Sequence, residues 1–494
     1  MADRYWIGGS GNWDASTTTH WSDSSGGAGG QSVPTSSDNV FFDTASSIAE
    51  AAYTVTITAA ANCLNFTMDG PSATDATKVT WAGTFALNIY GSLNLSGGTA
   101  GITRTYTGII TFASTSTGKT INTNGVSMAS RFDFNGVGGG WTLASNLVTT
   151  GDQIIVTKGS FNDGNYNIDF VVFNSSNTNV RGLTIGTGIW TSAGANGAAF
   201  NILTTTNLTF SCSSSNTIII SSSDTNNRLF AATNLTFGNF KFSGSNTEAT
   251  DAFIIRGGPT FNNFTVEGNS KTIKFKESTT TTFNSFTALG TSGNHFIITS
   301  ESTTNATLAK AGGGVISGCD YIDASYLTGS PVSTWYIGAN STEVVGSSLT
   351  NIYLLDPPSS IALTGTVTTA NETDIVTGGK TIILTITGDT WVASGATFDA
   401  QRQAIINGIT SAGSETNGWN NEVRDNEAVT AVVRTSDTVA TITLSASASY
   451  NITANETITV TVPSTALTGA SAIVASPTFT ITSIASGNTT NFFF

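Results

Sequence analysis

Charge is what this sequence has least of. Only 10% of its 494 residues are Asp, Glu, Lys or Arg, and 32 acidic residues stand against 18 basic ones. A nucleic-acid surface needs clustered Lys and Arg to displace phosphate counterions. The net charge of −14 runs the other way, so nucleic acid is excluded as a partner. The densest basic run, Lys271, Lys274 and Lys276, lies beside Glu267 and Glu277 and reads as a solvated strand face. Cysteine is nearly as scarce. Cys63, Cys212 and Cys319 are odd in number and far apart, with no CxxC or Cys/His spacing. That excludes a disulfide framework and a zinc site. Their contexts, ANCLNF, TFSCSSS and SGCDYI, are strand-like, and each reads as a small buried hydrophobe. The two histidines, His20 and His295, are isolated, and no Ser/His/Asp grouping surrounds either. No apolar run approaches the ~18 residues of a membrane-crossing helix, so no membrane insertion is expected. The opening MADRYWIGG has neither the basic start nor the apolar core of an export signal. No cofactor is implied.

Thr, Ser, Asn and Gly supply the polar surface instead, and 28 Phe can build a long core. The apolar period is two almost throughout. YTVTIT sets Tyr53, Val55 and Ile57 on one side, and NLTF does the same with Leu208 and Phe210. Such runs, separated by Gly, Asn and Ser turns, predict an all-β chain. An internal repeat sharpens this. TFGNFKFSG, TFNNFTVEG and TFNSFTALG place phenylalanines at Phe237 and Phe240, Phe261 and Phe264, and Phe283 and Phe286, with steps of 24 and 22 residues. NLTF recurs upstream at a step of 27. This period fits the turn of a parallel β-helix, in which the six rings stack as an internal ladder. The alternative for the ladder, an exposed aromatic platform, is disfavoured by Phe in place of Trp or Tyr. The Asn residues within CLNF, FNNF and FNSF are expected in tight, left-handed turns.

The front of the chain holds Trp6, Trp13 and Trp21 among glycines. They are expected to plug the open hydrophobic end of the solenoid, and a tryptophan platform for sugars is the sharper alternative. At the other end, KTIILTIT, VTAVVRT, TVATITLS, ETITVTV and TFTIT predict a second all-β unit of sandwich type. One helix is predicted there, over FDAQRQAIINGI, with Phe398, Ile405 and Ile409 on one side and Gly408 near its end. The expected divisions are an N-terminal cap (1–48), a parallel β-helix (49–352), a proline linker (353–360), an immunoglobulin-like β-sandwich (361–483) and a Phe-ended tail (484–494). Phe492, Phe493 and Phe494 form a candidate interface, since exposed rings invite docking.

Candidate catalytic groups are few. GGSGNWD shares glycines with a calcium-binding repeat, but it does not recur and Asp14 is one place late. Asp163 and Asp169 are six apart, and Asp320 and Asp323 three apart. Residues i and i+3 of a strand point to opposite faces, so Asp320 and Asp323 do not converge unless a turn intervenes. Paired carboxylates of a glycosidase must face one another. These read as turn and surface groups, and the chain as no enzyme.

Three stretches resemble known proteins. The opening pattern, carried by Trp6, Gly8, Gly9, Gly11, Trp13, His20, Trp21, Val33, Pro34, Asp38, Asn39 and Phe41, resembles the first rung of bacterial and phage β-helix proteins. Residues 210–345, with TFNNFTVEGNSKTIKF and CDYIDAS, are similar to virion-associated repetitive β-proteins of tailed phages. The C-terminal GWNNEVRD and TVATITLS segments look like an immunoglobulin-like module of phage structural proteins. The resemblance implies a virion structural protein: a fibre, spike or decoration at the virion surface, assembled in the host cytoplasm and released by lysis. Its partners would be other virion proteins and a host surface glycan or protein. A homo-oligomer is expected, with a trimer favoured, because a narrow solenoid has much surface for its core. The rival readings are a tailspike-type polysaccharide depolymerase and a bacterial surface adhesin.

Overall fold

Strict alternation along short strands lets every second side chain point into one interior while the strands of successive turns pair side by side. The computed structural model follows that rule. It describes residues 1–48, 52–69, 78–151, 153–192, 197–221, 227–243, 252–268, 271–312, 315–332, 334–356, 362–366, 370–387, 390–426, 429–468 and 478–484. The chain divides into two units, Met1–Leu355 and Asp356–Phe494.

The first unit is a parallel β-solenoid of about 12 turns. At ~4.8 Å between neighbouring strands, such a stack is roughly 55–60 Å long. Each turn lays down up to three short strands. Tyr53–Ile57, Ala61–Cys63 and Phe66–Met68 make one turn, and Val79–Gly83, Leu87–Ile89 and Leu93–Asn94 pair with them in register as the next. Some strands run round a corner and belong to two faces. Phe132–Leu143 and Gln153–Asn162 do so with register shifts near Gly140. Thr236–Ser243, Thr260–Val266 and Thr280–Leu289 do so further on, pairing Phe237 with Phe261 and Phe261 with Phe283, and Phe240 with Phe264 and Phe264 with Phe286. One hydrophobic cluster fills the interior from Trp6 to Ile352.

The corners need backbone that turns left. Asn124, Asn165, Asn207, Asn234 and Asn351 supply it with φ between 44° and 68°. The Asn residues of CLNF, FNNF and FNSF, expected in that role, lie elsewhere. Their side chains run up the outside of the stack as amide ladders. Asn65 donates to Asn39 (2.8 Å), Asn263 to Asn239 (2.6 Å) and Asn284 to Asn262 (3.0 Å). In a parallel stack an outward Asn meets its counterpart one strand spacing away, which suits an amide donating to an amide.

The basic run also differs from expectation. Lys271 is buried, with its ammonium 5.8 Å from the centre of the Phe253 ring and donating to the Glu267 carbonyl. It precedes Thr272–Phe275 at an inward position level with Phe296, so the strand carries it into the core rather than into water. Lys276 remains outside and pairs with Glu277.

The second unit has two four-stranded sheets. Ala362–Thr366, Thr381–Thr387, Val439–Leu444 and Val429–Arg434 form an antiparallel one. Ala370–Asn371, Thr478–Thr482, Glu456–Val460 and Ile409–Ser411 form the other, which is mixed. Their apolar residues, Leu384, Ile442, Ile458 and Ile481 among them, share one cluster with Trp391 and Trp419. The predicted helix is broken into Ala396–Asp399 and Arg402–Asn407, and Ile409 starts a strand. Gly408 is where it stops: a Cβ there would lie 2.0 Å from the Thr461 carbonyl oxygen. The sheet claims the chain at that close approach, and helix propensity yields to it. Among the described residues no helix is long and apolar enough to cross a membrane. Phe492, Phe493, Phe494 and linker residues 357–360 lie outside the described residues.

Candidate functional site

The glycines of the opening stretch have a local purpose. Gly8 and Gly9 take φ of 82° and 72°, which turns the chain so that the Trp6 indole N–H donates to the Gly9 carbonyl at 2.7 Å. Gly11 makes room for a ring, since a Cβ there would stand 2.3 Å from His20 Nε2. His20 then stacks on Trp6 at 4.6 Å with 1° between planes, and its Nδ1 donates to the Ile7 carbonyl. Asp3–Trp6 pairs parallel with Asn39–Phe42 and antiparallel with Trp21–Ser22. The antiparallel strand ends the parallel stack on that face. Beneath it Trp6, Trp13 and Trp21 are 0%, 1% and 0% exposed and pack edge to face on one another. A sugar platform requires open indole faces, and these have none. Phe41 points outward and stacks on Tyr5, while Phe42 is the ring that meets the indoles.

The six ladder phenylalanines, Phe237, Phe240, Phe261, Phe264, Phe283 and Phe286, are all buried. Phe264 stacks on Phe286 at 5.0 Å and on Phe240 at 5.2 Å. Cys63 and Cys319 are buried and Cys212 is half-buried. Burial pushes the Cys319 thiol up to about 12 and the Cys212 thiol up to about 11, so both stay protonated and unreactive.

The singled-out carboxylates divide into two groups. Asp163 is wholly buried and accepts from the Asn165 and Gly186 amides and the Trp190 indole, which fixes a corner. Asp169 lies exposed on a neighbouring strand. Asp14 accepts from Ser16 and Thr17, and these hydrogen bonds hold its carboxyl below the usual range. At Asp320 and Asp323 the intervening turn exists. Tyr321 takes φ of 53° between Gly318–Asp320 and Ile322–Ser325. Asp320 stays with the corner and accepts from the Asn340 amide and side chain and the Tyr321 amide. Asp323 enters the next face, where neighbouring turns bring it partners on both sides. His295 Nδ1 donates to its Oδ1 at 2.8 Å, and the Thr342 hydroxyl donates to the same oxygen at 2.6 Å.

His295 is therefore not isolated. It sits 28 residues before Asp323 in sequence but one turn away in space, with the Tyr321 ring edge-on at 5.5 Å. A solenoid brings together residues about one repeat apart, so a separation near the repeat length is the signal by which the sequence could have shown this pair. Among the described residues, Asp323 Oδ2, His295 Nε2 and the Tyr321 hydroxyl carry no hydrogen bond within the chain. The corner thus offers solvent an acceptor, an imidazole nitrogen and a phenol. No group of three His, Cys, Asp or Glu among the described residues is placed to hold a metal ion. Comparison with family models, curated proteins and solved structures gives no match to this chain.

Proposed function

We propose that this chain is a structural attachment element at the surface of a tailed-phage virion, a fibre, spike or decoration that contacts the host surface or a neighbouring virion protein. The observation that carries the reading is the uninterrupted interior from Trp6 to Ile352. A single core of interlocked rings and aliphatic side chains makes a stiff rod, which is what an appendage needs. Its outer surface is finished with amide and hydroxyl ladders that tolerate water with little charge. The second unit we read as an immunoglobulin-like module, on the sequence resemblance and its two small sheets. Mass spectrometry of purified particles, with imaging that locates the chain, tests the reading. Absence of the chain from particles of the phage that encodes it overturns it.

The His295–Asp323 pair beside Asp320 favours a second reading, a polysaccharide depolymerase with the imidazole as general base. New reducing or unsaturated ends from host polysaccharide, lost in Asp323→Asn, would replace the first reading with this one.

A further inference from the structure

We propose that the corner formed by Tyr321, His295 and Asp323 is a subsite for a neutral sugar of a surface polysaccharide. This deepens the attachment reading and rests on it.

Three observations meet here. The first is complementarity. An unengaged carboxylate oxygen and an unengaged imidazole nitrogen, held together by the 2.8 Å bond in which Nδ1 donates to Oδ1, present two acceptors side by side, Oδ2 and Nε2. Adjacent hydroxyls of a hexose can donate to both. The half-buried Tyr321 ring next to them supplies an apolar surface for the sugar's C–H groups. The orientation is fixed from both sides, because Thr342 and His295 fasten Asp323 while Asn340 fastens Asp320. A few convergent polar groups held in place by other contacts are what a small-ligand site requires.

The second observation concerns the residue at the turn. Of eight described non-glycine residues with positive φ, five are Asn and one is Ser; the others are Tyr321 and Tyr326. Left-handed backbone is easy for Asn and strained for a bulky aromatic side chain. Asn would satisfy both turns, so the rings serve something other than the backbone. Tyr326 engages its hydroxyl within the chain, donating to the Gly346 carbonyl at 3.4 Å. Tyr321 has no such use within the chain and turns its hydroxyl to solvent.

The third is charge. The patch holds two carboxylates, Asp320 and Asp323, and the chain is −14 overall. Uronic and sialic acids would be repelled, which selects neutral sugars. A single subsite binds weakly, and several copies on one particle would add avidity.

The test uses the full chain and saturation-transfer NMR with neutral hexose oligosaccharides prepared from bacterial surface polysaccharide, with sialylated and uronate-bearing oligosaccharides as the comparison set. Tyr321→Asn removes the ring and suits the backbone. It should keep or raise the melting temperature while weakening neutral-sugar binding at least about tenfold. His295→Gln, a second variant independent of the turn, should weaken it likewise. Tyr326→Asn relieves the same kind of turn and should leave binding unchanged. Wild-type chain that transfers no saturation to neutral oligosaccharides at millimolar concentration overturns the subsite. So does a Tyr321→Asn chain that binds like wild type, or a preference for the acidic set. Sugar binding by a chain absent from purified particles keeps the subsite and removes the virion reading. A chain present on particles that binds no sugar does the reverse.

Discussion

Phe261 lies in the middle of the ring ladder, 6.0 Å from both Phe237 and Phe283 and 5.3 Å from Phe264. Its neighbours are held by their own strands and cannot collapse into a gap. Phe261→Ala is therefore expected to destabilise the solenoid by about 3–5 kcal/mol, read from chemical denaturation. Lys271 is a different kind of core residue. Burial pushes its ammonium down to about 8 from the usual 10.5, with Glu267 partly opposing the shift. Between those two values the unfolded chain holds the proton and the folded chain does not, so folding stability rises with pH across that window. Below about 8 both states are protonated and the cost of burying the charge is present in full. Lys271→Met should raise stability at neutral pH and remove this residue's share of the rise between about 8 and 10.5. Denaturation curves of the two chains at matched pH values check both. A wild-type-minus-variant difference that does not change with pH would contradict the sign.

At the scale of the element, the corners matter more than the strands. Arg181 opens Arg181–Ile185 but turns its buried guanidinium back into the corner. It donates to the carbonyls of Ser175, Asn179, Thr204 and Thr206 and to the Ser175 hydroxyl. Among the described residues no carboxylate pairs with it; peptide carbonyls surround the charge, and desolvation lowers its pKa. One side chain thus ties the loops of two successive turns. Arg181→Met keeps the stem and leaves those carbonyls without a donor, at about 1–3 kcal/mol for each one that water cannot reach. A loss of at least ~3 kcal/mol is expected, with hydrogen exchange accelerated first in residues 175–179 and 204–206. Uniform acceleration over the whole solenoid would show that the corner is not an independent unit.

For the whole molecule, two units with separate cores are expected to unfold as two transitions in a calorimetric scan. A point substitution such as Phe261→Ala should move only one of them. The expectation of a homo-oligomer, with a trimer favoured, belongs to this scale too. Light scattering at micromolar concentration should give a multiple of 50.9 kDa, and a monodisperse monomer would rule it out for the isolated protein. The outward amides of the ladders already bond to one another along the stack. Contacts between copies must therefore come from other groups, and exposed Val137 and Val180 are available for them.

The sequence by itself determined the strand class, the inward face of nearly every strand and the ring ladder, because a period of two and a repeat of identical spacing are local facts. It showed the repeat only where the same residue type recurs. Val40, Phe66, Leu93 and Ile121 form one column, and Trp141 and Phe161 belong to another, yet their residue types differ from turn to turn. Changing residue types hide such columns from a reading in sequence. Tertiary structure alone decided what stands one turn above or below each residue. It set the outward Asn side chains in ladders rather than turns, took Lys271 into the core and broke the predicted helix between Asp399 and Arg402. It also placed His295 against Asp323, as strand pairing across turns fixes neighbours that no stretch of sequence contains.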